Sequence, residues 1–167
     1  MNKKISIWLG VGILAVITLI AVSYPNSQKE KVSDKAASLS SIVDISAPET
    51  NFDFGEISMA AGKVSHDFEI TNNSSSTIVF EKLFTSCMCT NAYFILGGEE
   101  SGPFGMPGHG FVPGLGRELK AGEKAVVRAV FDPAAHGPAG VGPVDRLVRL
   151  ESGGSAKEFE IKAVVRP

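Results

Sequence analysis

Apolar and polar residues alternate with a period of two along much of this chain. The clearest stretch is Val64, His66, Phe68 and Ile70, interleaved with Ser65, Asp67, Glu69 and Thr71. Successive side chains of a strand point to opposite faces, so the pattern predicts a half-buried strand. Residues 52–57 repeat it, with Phe52 and Phe54 on one face. Further strands are expected at 42–46, 78–84, 92–96, 125–131, 144–150 and 159–165. Glu81-Lys82 interrupts the alternation of 78–84, where a bulge is expected. Between these segments lie turn formers: Ala61-Gly62, Asn72-Asn73-Ser74-Ser75-Ser76, Lys120-Ala121-Gly122-Glu123, Asp132-Pro133 and Ser152-Gly153-Gly154-Ser155. Roughly seven or eight short strands in about 125 residues, with no convincing helical period, predict an all-β immunoglobulin-like sandwich.

The first forty residues follow another pattern. Lys3 and Lys4 precede residues 5–22, a run with no charged side chain. Eighteen apolar-rich residues after a basic flank predict a hydrophobic helix, either a membrane anchor or a secretory signal with Ala21-Val22-Ser23 as a cleavage site. In both cases the rest of the chain is exported, because the basic flank stays in the cytoplasm. Residues 23–41 are too polar to bury and read as a linker. The expected organisation is thus an anchor or signal over 1–22, a linker over 23–41 and a sandwich domain over 42–167. The domain is placed in the cell envelope: outside the cytoplasm and tethered by residues 5–22, or secreted or periplasmic if the signal is cleaved.

Charge narrows the function classes. Sixteen basic and 18 acidic side chains give a net charge of −2, with no dominant basic run. This argues against a nucleic-acid partner, which calls for a basic patch or stripe. The serines lie in glycine-rich turns without a nucleophile elbow, and no phosphate loop is present, so no enzymatic activity is expected.

The candidate chemistry sits in Cys87-Met88-Cys89, the only cysteines of the chain. On an extended strand, residues i and i+2 face the same way and their Cα atoms lie ~6.5–7 Å apart. That is near the upper limit for a disulfide, so a Cys87–Cys89 bridge would pull the segment into a turn. Two free thiols in an oxidising compartment call for another explanation, and thiolates are ligands for soft metals. Residues 97–116, with eight glycines and three prolines, supply Met106 and His109. Thiolate, thioether and imidazole together form a copper ligand set. Long irregular loops are usually functional or disordered, and Phe104 and Phe111 are placed to pin this one as a lid over the cysteines. Met88, on the opposite face of a strand, is the lesser thioether candidate. His66 lies on an apolar face, where a histidine is more often part of the core than a ligand. His136, in a proline- and glycine-flanked turn, reads as solvated.

A resemblance rests on ordered motifs: Phe52-x-Phe54-Gly55-x-Ile57, Gly62-x-Val64-x-His66-x-Phe68, Thr71-Asn72-Asn73, Ser86-Cys87-x-Cys89-Thr90 and Gly122-Glu123. Together they resemble a bacterial family of exported immunoglobulin-like domains, domain-of-unknown-function family 1573. Its members commonly carry glycine where this chain has Met88. The resemblance implies a sandwich outside the cytoplasm and no established activity. The expected function is therefore a non-catalytic interaction or structural module with an exported protein partner. The alternatives are a copper-binding module using Cys87, Cys89, Met106 and His109, and a thiol–disulfide redox protein using Cys87 and Cys89. The sequence shows no lysine, arginine or helix N-terminus beside the pair to lower a thiol pKa.

Overall fold

The structure is a computed structural model that describes residues 44–167. The expected hydrophobic helix and polar linker lie outside the described residues. Among the described residues no helix is long and apolar enough to cross a membrane.

Among the described residues, eleven strand segments form the fold: β1 Ile45–Ser46, β2 Asn51–Ser58, β3 Val64–Asn72, β4 Ile78–Phe80, β5 Lys82–Thr85, β6 Thr90–Leu96, β7 Glu99–Phe104, β8 Arg117–Leu119, β9 Lys124–Phe131, β10 Gly142–Ser152 and β11 Ser155–Arg166. One sheet runs β1-β3-β9-β6-β7 and the other β2-β11-β10-β5, with β4 and β8 pairing as a small ribbon. All pairings are antiparallel except β2 with β11. The alternation read from the sequence sets the inner faces. Phe68 and Ile70 of β3, Val127 and Ala129 of β9 and Phe94 of β6 are buried against Leu83, Val148, Leu150, Phe159 and Ile161 of the other sheet. Phe68 and Phe159 meet across the core with ring centroids 5.0 Å apart. Each large side chain removed from water there contributes about 1.5–3 kcal/mol.

The strand count exceeds the sequence expectation for three local reasons. First, the segment expected at 78–84 divides at Glu81. Its first half pairs with β8 and its second half with β10, so Glu81-Lys82 marks a change of partner. Second, the presumed irregular loop 97–116 is partly a hairpin. Gly97 and Gly98, at φ 59° and 87°, turn β6 back into β7, because glycine adopts the positive φ that tight hairpin turns require. Third, Arg117–Leu119 is too short to show a period by itself. The irregular part of the loop shrinks to residues 105–116. Phe104 is buried and pins its start, but Phe111 is 91% exposed and pins nothing.

Candidate functional site

The cysteines lie on a tight turn between β5 and β6. This corrects the expectation of an extended strand. Thr90 N–H donates to the Cys87 carbonyl at 3.1 Å, closing a four-residue turn with Met88 and Cys89 at its centre. The buried Thr85 hydroxyl clamps both ends, lying 3.0 Å from the Cys87 carbonyl and 2.9 Å from the Thr90 carbonyl. Methionine fits the turn in place of glycine because its side chain points to solvent, 51% exposed, and no positive φ is needed there.

The turn brings the thiols together. Cys89 Sγ donates to Cys87 Sγ at 2.6 Å, and Cys89 N–H also approaches Cys87 Sγ at 3.4 Å. Cys87 is half-buried, whereas Cys89 is buried. A guanidinium and an imidazole flank them. Arg146 Nε donates to Cys89 Sγ at 3.1 Å, and His136 Nε2 lies 3.3 Å from Cys87 Sγ.

Register explains both neighbours. Val148 of β10 stands opposite Thr85, so Arg146 is two residues further along the same inward face, where β5 has given way to the cysteine turn. Phe131, the last residue of β9, stands opposite Thr90. The chain leaves β9 with Asp132 N–H bonded to the Cys89 carbonyl at 2.8 Å. Asp132 Oδ1 accepts from Ala134 N–H at 2.9 Å, forming the turn that delivers His136 to the cysteines.

These contacts divide the labour between the thiols. Burial raises the Cys87 pKa, but hydrogen bonds from the Cys89 thiol and N–H, the His136 contact and the Arg146 charge outweigh it, giving about 7. Burial, then the bond to Cys87, push Cys89 above the ordinary thiol value despite Arg146. The more accessible sulfur is thus the readier thiolate and the buried one holds its proton more tightly.

The imidazole beside the pair is that of His136 and not that of His109. Cys87, Cys89 and His136 offer ligand atoms within 4.8 Å of one another, a group to which His109 does not contribute. His109 is exposed, and its N–H turns back to the Met106 carbonyl at 3.3 Å. Met106 is half-buried and forms no hydrogen bond to either cysteine. His66 is engaged elsewhere: Nε2 meets Glu49 at 2.8 Å, and its ring stacks on Phe52 at 3.7 Å. His136 is exposed as expected, yet it touches a thiol. Arg146 escaped notice although its place in Val144-x-Arg146-x-Val148-x-Leu150 set a guanidinium on an apolar face, which was the available signal.

Comparison with known proteins bears on the fold. Residues 45–97 match the family described as protein of unknown function (DUF1573). That is a DUF1573 match. It covers β1 to β6 and the cysteine turn. No curated protein matches the chain. Among solved structures, a protein of unknown function from Porphyromonas gingivalis W83 is similar at 14% identity and a TM-score of 0.53, covering 72% of this chain and 46% of that one. The chain thus spans less than half the length of that relative. The ASH/PapD-like domain 7 of human CEP192 is similar at 11% identity and a TM-score of 0.46, covering 74% and 85% of the two chains. The YadV chaperone follows at 11% identity and a TM-score of 0.43, covering 74% and 52%. The likeness to the P. gingivalis protein supports the sandwich fold and carries no activity.

Proposed function

We propose that this DUF1573-type sandwich is an exported immunoglobulin-like module whose working part is a thiol–disulfide exchange centre. The observation that carries the reading is the Cys87–Cys89 turn flanked by His136 and Arg146. Thiol–disulfide exchange needs an accessible thiolate, a second thiol within reach and positive charge to hold the sulfur ionised. The absence of a basic neighbour was the sequence-based argument against exchange, and Arg146 and His136 answer it.

In the exchange, Cys87 thiolate attacks one sulfur of a partner disulfide. A Cys87–partner disulfide forms, the partner's own bond breaks, and the leaving thiolate takes a proton from solvent. Cys89 then loses its proton and attacks Cys87 Sγ. The second partner thiolate leaves, and the pair is oxidised by two electrons while the partner is reduced by two. The reverse sequence oxidises a partner dithiol. The sandwich serves as a rigid platform for the turn, and the hydrophobic segment at residues 5–22 supports placement outside the cytoplasm.

A soft metal such as copper is the alternative occupant, favoured by the grouping of Cys87, Cys89 and His136. One feature weighs against it: the guanidinium already occupies one side of Cys89 Sγ.

Titration of the pair in graded mixtures of oxidised and reduced dithiothreitol, read by thiol counting, tests the proposal. A reversible two-electron transition with a potential above the ~−300 mV limit of inert structural disulfides is expected. A pair that never oxidises, or that stays bridged throughout, would reject it. One equivalent of Cu(I) retained by the reduced protein against a competing chelator would move the assignment to the metal.

A further inference from the structure

The geometry points to hydroperoxides as a second class of substrate, with Cys87 as the peroxide-reducing thiol and Cys89 as the thiol that resolves the product. This rests on the exchange reading above and extends it. Disulfide exchange expels a thiolate, a good leaving group whose departure needs little help. Cleavage of a peroxide O–O bond expels hydroxide or alkoxide, a far more basic group, so a donor aimed at the departing oxygen matters much more.

The site holds such donors beside the half-buried Cys87 sulfur. A guanidinium carries five N–H donors in a fixed fork. The hydrogen bonds of Arg146 to Cys89 Sγ and to the Asp145 carbonyl use two of them. The guanidinium also acts on Cys87 itself, so its remaining N–H groups lie on the side from which an oxygen would approach that sulfur. His136 stands on the other contact of the same sulfur and can pass a proton to the leaving oxygen. An accessible thiolate beside a resolving cysteine is also the arrangement in which sulfenic acids form reversibly.

The steps balance. Cys87 thiolate attacks the peroxide: an S–O bond forms, the O–O bond breaks, and the leaving oxygen is protonated to water or an alcohol. Cys87 is then a sulfenic acid. Cys89 thiol attacks Cys87 Sγ, the S–S bond forms, and a second oxygen leaves as water. Two thiols and one hydrogen peroxide become one disulfide and two waters. An external dithiol restores the pair by the exchange already described. The turn holds the two sulfurs in contact, so the resolving thiol stands beside the sulfenic acid.

The test uses the reduced full chain at pH 9.5, where the Cys87 thiolate predominates in every variant, with hydrogen peroxide and the aromatic disulfide DTNB as parallel probes. The wild type is expected to consume one peroxide per pair at least ~10-fold faster than free cysteine. Cys89→Ser is expected to accumulate a sulfenic acid that dimedone labels at Cys87, read by peptide mass. Arg146→Met is expected to lower the ratio of the peroxide rate to the DTNB rate by ~10-fold or more, since loss of one donor to a developing oxyanion typically costs ~100–1000-fold. Arg146→Lys keeps the charge without the fork and is the variant to read if Arg146→Met fails to fold; its ratio should fall less but in the same direction. DTNB reactivity with a peroxide rate no faster than free cysteine overturns the peroxide inference and leaves exchange standing. So does an unchanged ratio in both arginine variants, or dimedone on no residue. Failure of both probes removes the exchange reading as well.

Discussion

The cysteine turn and the glycine-rich segment 105–116 both look functional in sequence, yet the fold treats them in opposite ways. The turn is tied down from every side. Thr85 holds its two carbonyls, Asp132 holds Cys89, Ser86 N–H donates to the Leu147 carbonyl at 2.9 Å, and Arg146 reaches in from β10. The segment 105–116 is fastened near its ends, where the Gly105 carbonyl accepts from Thr85 N–H at 3.1 Å and Leu115 N–H donates to the Glu81 carbonyl at 2.8 Å. Between them Phe111 stands in solvent. Reactive geometry therefore follows the density of fixed partners more than the presence of suitable residue types. Both regions own a methionine, but the histidine of the glycine-rich segment, His109, is not the one beside the thiols; that is His136, delivered by the turn after β9.

The sharpest way to break this contrast is to remove a sulfur from the turn. Cys87→Ser should abolish exchange with DTNB-type disulfides, because the remaining thiol is buried and holds its proton more tightly than an ordinary cysteine. Cys89→Ser should leave a single reactive thiol that stops at the mixed disulfide, one adduct per chain by intact mass. Equal reactivity of the two single variants would show that the turn does not distinguish its sulfurs.

The next largest effect concerns the flanking Arg146 and His136. Thiolate reactivity rises with pH as the thiol ionises and levels off above its pKa. With the Cys87 value lowered to about 7, alkylation by iodoacetamide should reach half its plateau near that pH. Returning the group to the ordinary 9.0 would cut the thiolate fraction at pH 7 from about one half to about one hundredth, a ~50-fold loss of rate. His136→Ala combined with Arg146→Met should move the midpoint upward by the smaller part of that interval, because the contacts from Cys89 lower it more, and His136→Ala alone by less still. A midpoint that does not move would show that Arg146 and His136 are bystanders and that contacts from Cys89 alone set the acidity.

Thr85 tests whether the turn is pinned by its buried clamp. Thr85→Val keeps the shape of the side chain but removes the hydroxyl from the Cys87 and Thr90 carbonyls. Loss of a buried hydrogen-bonding partner costs about 1–3 kcal/mol. The urea midpoint should fall accordingly, with the slope unchanged. An unaltered midpoint would mean that the turn holds without its clamp.

These residues also mark how far the sequence was legible. Alternation exposed the long strands β2, β3, β9, β10 and β11 because a half-buried strand must sort its side chains by face. It could not expose β8, which spans three residues, or β7, whose Glu-Glu-Ser-Gly-Pro-Phe run carries no such alternation. The cysteines were legible as chemistry, since no other residue pair in the chain combines their softness and spacing. Their partners were not, because Arg146 lies 57 residues from Cys89 and His136 lies 49 residues from Cys87, and both reach their sulfurs through strand register. Period-two reading fixes which face a residue occupies but leaves open which strands are neighbours. Arg146 was readable as an anomaly on an apolar face, whereas His136 sits in a turn whose destination depends on the pairing of β9 with β6.

The smallest expected effect is the most direct check on the comparison. Met106→Leu and His109→Ala change the two residues that a copper site built on the glycine-rich loop would require. The fold gives neither a hydrogen bond to the cysteine turn, and His109 lies in solvent. Substitutions at such positions usually change stability by no more than ~0.5 kcal/mol. Cys87 alkylation rates and the redox midpoint of the pair should match those of the wild type in both variants, whereas His136→Ala should alter the first. If His109→Ala instead shifted the thiol's pH profile as much as His136→Ala does, the loop would have to reach the thiols in solution. The distinction between a pinned reactive turn and a peripheral loop would then fail at the residue where it is easiest to see.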